Sequence, residues 1–196
     1  MKVDAQLLHA GALRLAVVSS NVANYCDHIE HNEPADIETV RRAGEELRMT
    51  AIELSWSAGA DTIELYAARL AAIESRNVLS YSASFDGAAA ARAAGSWRAL
   101  QLVQARHDCA YHPDVAGLAK WDQLHHYALH LAKLAGATAA VARGDSHHDD
   151  WLARRVPDLL LFGLKLATVT GQRLADEGLP QRASYAVPVG AGVDAC

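Results

Sequence analysis

The sequence predicts an all-α protein, a compact bundle of about six helices, and three observations carry that expectation. Apolar residues recur at helical spacing over most of residues 5–177. The chain holds only 5 prolines, and all but Pro188 fall where a helical pattern begins or ends. Strand signals are nearly absent: aromatics make up only 6% of the residues, and the one β-like run, 187–193, is short and broken by glycine.

The first helix is expected over about residues 5–29, with Leu8, Leu13, Val17 and Val22 on its apolar side. It stops in the polar stretch 28–34, which Pro34 closes. Asp36 caps a second helix that runs to about residue 56, and Glu38 in its first turn suits the helix dipole. Residues 57–60 form a turn, and Asp61 caps a third helix to about residue 76. The serine-rich stretch 77–86 reads as a loop. A fourth helix covers about 87–109 and a fifth about 115–143. After the polar linker 144–150 a sixth covers about 151–177, and Pro157 makes it start late or bend. Its run Leu159 to Ala167 is apolar nearly all round, which predicts a central buried helix. Residues 1–179 thus read as one helical domain and 180–196 as an extended tail that wraps the bundle or swaps onto a neighbour.

Composition narrows the function classes. A net charge of -5 with no long basic run argues against binding a nucleic-acid backbone. Cys26, Cys109 and Cys196 are odd in number and far apart, which argues against a disulfide framework or a cysteine zinc site. No apolar run reaches the ~20 residues that span a bilayer, and the start lacks a basic lead-in, so the expected compartment is the cytoplasm. Alanine-rich helices and the apolar run of the sixth helix offer more apolar surface than a small bundle hides, which predicts a homodimer.

Most of the usable chemistry lies between Gln104 and Lys133. Asp122, His126 and His130 stand at i, i+4 and i+8, so a helix stacks them on one face. Imidazole and carboxylate are ligands for divalent metals, here Mg, Mn, Zn or Fe. The competing reading is the solvated back of a helix whose apolar stripe is Trp121, Leu124, Ala128, Leu131 and Ala135. The fourth helix ends with its own polar set, Gln101, Gln104, Asp108 and Tyr111. A short connection through Pro113 would make helices four and five antiparallel neighbours. His107 and Asp108, the candidate catalytic bases, would then stand near Asp122 and His126. Asp158 begins the buried helix, either as a metal or phosphate ligand or as an ion-pair partner of Lys133. Lys165 is expected to snorkel or to pair with a carboxylate. Glu45, Glu46, Glu53, Asp61 and Glu64 form a second acidic set that could hold Mg²⁺, though surface acids at this density are commoner than Mg²⁺ sites. No glycine-rich phosphate loop, G-x-S-x-G or H-E-x-x-H motif is present.

Two segments resemble the MazG-type all-α nucleotide pyrophosphohydrolases. One is the Leu/Ala-rich stretch Leu124-His-His-Tyr-Ala-Leu-His-Leu-Ala-Lys-Leu-Ala-Gly136, and the other is Pro157-Asp158-Leu-Leu-Leu-Phe-Gly-Leu-Lys-Leu-Ala167. The family's metal helices carry Glu-Glu-x-x-Glu and then Glu-x-x-Asp. This chain has His125-His126-Tyr-Ala-Leu129 and Arg155-Val-Pro-Asp158, so only the last Asp matches. The resemblance implies a small-molecule partner, a nucleotide or related phosphate ester, which the chain binds or hydrolyses. In the hydrolytic version Asp122, His126, His130 and Asp158 would hold the metal, and His107 or Asp108 would act as base. A His/carboxylate metalloenzyme of the oxygen-using bundle class and a non-catalytic interaction module are the alternatives.

Overall fold

Helices begin where a side-chain oxygen can take the free N–H groups of a first turn. A computed structural model describes residues 3–77, 85–145 and 147–179 and shows this at five helix starts. Asp4 accepts from the N–H groups of Gln6 and Leu7 and opens α1 (Ala5–Glu30). Asp36 accepts from Glu38 N–H at the head of α2 (Ile37–Ser57). Asp61 accepts from Ile63 and Glu64 N–H at the head of α3 (Thr62–Asn77). Asp86 and Ser96 cap α4 (Gly87–Ala93) and α5 (Trp97–Tyr111). The single turn α6 (Pro113–Ala116) leads into α7 (Lys120–Ala142), followed by α8 (His148–Arg154) and α9 (Val156–Val169). Among the described residues there are eight helices besides α6, and an isolated bridge between Ser96 and Gly178 is the sole β pairing. None of the described helices is long and apolar enough to cross a membrane.

The all-helical expectation holds, but the six expected helices become eight besides the single turn α6, because the last three are each broken. The fourth divides at Ala94, whose backbone is extended, and Ser96 caps a new start. The fifth divides at 117–119, where Ala119 is extended. The sixth divides at Arg155, because Pro157 in the first turn of α9 has no N–H to continue the ladder from α8. It also ends at Val169 rather than near 177. Gly171 takes φ +69, its N–H bonds the Thr168 carbonyl at 3.1 Å, and Gln172 N–H bonds the Ala167 carbonyl at 2.9 Å. That double closure is a Schellman motif, which turns the chain out of the helix. The expected tail, 180–196, lies outside the described residues, as does most of the 77–86 loop.

The helix α9 is the hub. It packs against α2 along its length and also against α3, α5, α7 and α8, while α1 lies along α7 and α2. Every residue of α9 except Thr168 is buried, as expected of a helix that is apolar all round. The α2–α9 approach is close enough that the Gly163 carbonyl accepts from Arg48 Nη1 at 3.1 Å. Two expectations about surfaces are corrected. Leu13 and Val17 of α1 are 69% and 56% exposed, and the buried stripe is Leu8, Leu15, Val18, Val22 and Cys26. Leu13 stands five residues from Leu8, about 140° around the helix. The apolar run of α9 is used up inside the protomer and leaves no surface for a second copy.

Candidate functional site

The helix hub decides which polar residues meet. α5 and α7 each pack on α9 rather than side by side, so the expected α5–α7 polar face does not form. His107 is fully buried and faces α3, with Nε2 3.6 Å from Glu74 Oε1. Burial, then the charges of His112 and Lys165, push its pKa down to about 4, so it is neutral. Neither ring nitrogen makes a well-formed hydrogen bond.

Asp108, one residue on, turns the other way into a buried polar chain. Tyr66 donates to Gln104 Oε1 at 2.7 Å, and Gln104 Nε2 donates to Asp108 Oδ1 at 2.9 Å. Lys165 Nζ lies 2.8 Å from the same oxygen. Lys165, the one cation in the apolar run of α9, thus finds the carboxylate it was expected to need. Its ammonium also sits over the Tyr127 and Phe162 rings, at 5.5 and 5.6 Å.

On the far side of Lys165 a cleft of about 530 Å³ opens between α3, α6, α7 and α9. Its walls carry five fixed cations: Arg69 and Arg76 from α3, Lys133 from α7, Arg155 from the α8–α9 junction, and Lys165. Three histidines join them, His112, His126 and His130, against two carboxylates, Asp114 and Asp158. Arg69 and Arg76 stand seven residues apart on α3, so one face of that helix presents both. Arg69 holds Asp158 in a fork, Nε to Oδ1 at 2.6 Å and Nη2 to Oδ2 at 3.2 Å, while Arg155 approaches Oδ2 at 3.9 Å. Burial pushes the Asp158 carboxyl up, and the Arg69 hydrogen bond and charge oppose it. The expected Lys133–Asp158 pair is therefore corrected: Arg69 is the partner, because α3 packs on α9 at the start of that helix.

His126 and His130 enter the cleft from consecutive turns of α7, with ring centroids 4.7 Å apart. His130 stacks on Phe162 at 5.1 Å. Burial and then the charges of Lys165 and Lys133 lower the His126 pKa. Burial and then Lys133 lower that of His130 to about 4. Asp122, their expected companion, is exposed and lies outside the cleft lining. So of the four expected metal ligands the cleft unites His126, His130 and Asp158, and Asp158 is already held by Arg69. The surrounding donor set does not suit a divalent cation, since five fixed positive charges oppose its entry. Among the described residues no three His, Cys, Asp or Glu converge as ligands.

The second acidic set is likewise dispersed: Glu53 pairs with Arg14 at 2.5 Å, Asp61 caps α3, and Glu64 pairs with Arg92 at 3.0 Å. A separate cavity of about 440 Å³ between Trp56, Trp97 and Leu160 gathers no comparable set of charges. The residues that the sequence reading passed over are Arg69, Arg76, His112 and Asp114. The i, i+7 spacing of the two arginines was the available signal. No protein-family model, curated protein or solved structure matches the chain, so the geometry alone carries the functional reading.

Proposed function

We propose that this chain binds a phosphate-bearing small molecule, a nucleotide or related phosphate ester, in the cleft between α3, α7 and α9. The observation that supports this is the charge of the cleft: five cations and three histidines against two carboxylates, in a chain whose net charge is -5. Positive charge gathered into a concave site against the sign of the whole molecule focuses anions there. The volume falls within the range of small-molecule sites, roughly 300–1,000 Å³. Arginine suits the forked oxygens of phosphate. The ligand class agrees with the one implied by the MazG resemblance. The acidic metal chemistry of that family is absent from this reading, in which the cleft binds and orients its ligand.

Isothermal calorimetry with pyrophosphate and a nucleoside diphosphate tests it. Arg76 and Lys133 are exposed, so their charges can be reversed without disturbing the core. Arg76→Glu with Lys133→Glu should weaken binding at least tenfold, and added salt should weaken it further. Unchanged affinity in that variant, or no binding by the parent protein, refutes the proposal.

We also propose a homodimer, formed through the outer face of α1 and α7. Leu13, Val17 and Leu129 are large apolar side chains, all of them more than half exposed on these two packed helices.

A further inference from the structure

The charged groups that face the α7 histidines come from every element around the cleft. α3 contributes Arg69 and Arg76, and α7 itself contributes Lys133. Arg155, Asp158 and Lys165 come from the α8–α9 junction and α9. His112 and Asp114 come from the α5–α6 junction, and Asp108 from α5 lies behind Lys165. Two of the three carboxylates are already committed, Asp158 to Arg69 and Asp108 to Lys165. What His126 and His130 experience is therefore a surplus of positive charge, and each imidazole also abuts the other at 4.7 Å. That surplus favours the neutral form of both, which agrees with the lowered pKa of each.

A dianion reverses the sign of that field. An imidazole beside it gains by accepting a proton, since imidazolium offers two N–H donors and a charge to the oxygens. Two imidazoliums in ring contact repel, so the first proton hinders the second and the pair titrates as a unit. We propose that the cleft takes up a phosphate-type dianion together with one proton, carried by the His126–His130 pair, so that it binds the dianionic form more tightly as the pH falls. The inference rests on the anion-binding reading of the cleft and deepens it. In chemical terms the bound phosphate oxygen then faces an acid as well as fixed cations.

Sulfate is the probe, because it stays a dianion across the range and any proton taken up must reside on the protein. Calorimetry in two buffers of different ionisation enthalpy should show uptake of about one proton per sulfate. Affinity should rise between about pH 7.5 and about pH 5.5, with a limiting slope of ~10-fold per pH unit. Histidine ring-proton NMR of the unaltered protein should show two resonances whose titration midpoints move upward when sulfate is saturating. His126→Gln with His130→Gln should flatten the affinity profile. His125→Gln should keep the full slope, since that ring lies outside the cleft, against Trp121 and 3.9 Å from Glu30 of α1. Sulfate binding without proton uptake, unmoved histidine midpoints, or an undiminished slope in the double variant overturns the inference and leaves the anion site standing. Failure of sulfate, pyrophosphate and nucleotide alike to bind overturns both.

Discussion

Replacing Gly163 by alanine should loosen the contact that seats α9 in the bundle. A Cβ at Gly163 would lie 2.7 Å from Arg48 Cγ, 2.8 Å from the Gly44 carbonyl oxygen and 3.2 Å from Arg48 N. Two of those three atoms are backbone and cannot rotate away. α2 and α9 must separate, which strains the hydrogen bond from Arg48 Nη1 to the Gly163 carbonyl. Overpacking a core costs about 1–3 kcal/mol, and losing a buried hydrogen bond from a charged donor costs about 1.5–3 kcal/mol. Better helix propensity returns only about 1 kcal/mol. The net loss is about 1.5–5 kcal/mol, which for a domain of this size lowers Tm by on the order of 10 °C. Gly44→Ala is the graded comparison. Its Cβ would meet the Gly163 carbonyl and Leu166 Cβ at 3.3 Å, tight but not prohibitive. Crowding and propensity should nearly cancel there, within about 1 kcal/mol. Urea denaturation followed by far-UV circular dichroism reads both. A Gly163→Ala protein as stable as the parent, or less affected than Gly44→Ala, would refute the close crossing of α2 and α9.

Three further outcomes follow from the same contacts. Asp158→Asn removes the carboxylate that Arg69 grips, so stability should fall by about 3 kcal/mol while pyrophosphate binds more tightly to a cleft with one fewer negative charge; weaker pyrophosphate binding would contradict the electrostatic account. His107 is buried and neutral, with a folded pKa of about 4 against roughly 6.5 unfolded. Only the unfolded state gains a proton readily between those values, so its contribution is intact above about pH 6.5 and is lost as pH falls toward about 4, by up to about 3 kcal/mol. Urea midpoints measured across that window should fall less steeply in His107→Leu, and equal slopes would argue against a neutral buried imidazole. Light scattering should give twice the protomer mass of 21.0 kDa, and Leu13→Asp with Leu129→Asp should halve it; a protomer mass for the unaltered protein at micromolar concentration refutes the dimer.

The parts of the fold that were legible in the sequence are those governed by neighbours along the chain. Asp36 and Asp61 announce helix starts because a cap bonds N–H groups two and three residues away. The central place of α9 is legible because a helix with no polar stripe has no face to give to water. The breaks were hidden where alanine-rich sequence keeps its helical rhythm through a non-helical residue, as at Ala94 and Ala119. Leu174 extended the apparent sixth helix because it is buried, yet it reaches the core from outside any helix, its N–H bonding Gln101 Oε1 at 3.2 Å. The site was half legible for a related reason. The i, i+4 spacing fixes His126 and His130 on one face of α7, but which helix looks at that face is a property of tertiary packing. The sequence reading gave that place to α5, and the structure gives it to α3 and α9.

Two charges on α9 account for this placement. Asp158 and Lys165 stand seven residues apart, on one face of a helix that is otherwise apolar and buried up to Thr168. A buried charge left alone is expensive, so each needs a partner from another helix. Arg69 of α3 meets Asp158 and Asp108 of α5 meets Lys165, and neither partner can serve the other charge, because the signs are opposite. The pairing thus fixes which helix docks at which end of α9. Exchanging α3 and α5 would bury like charges together. Three of these four groups line the cleft, with Asp108 behind Lys165: Arg69 and Lys165 stay inside it with their charges partly answered, and Arg76, Lys133 and Arg155 stand around them. The device that sets helix order in the core is therefore also what leaves the cleft positive and prepared for an anion.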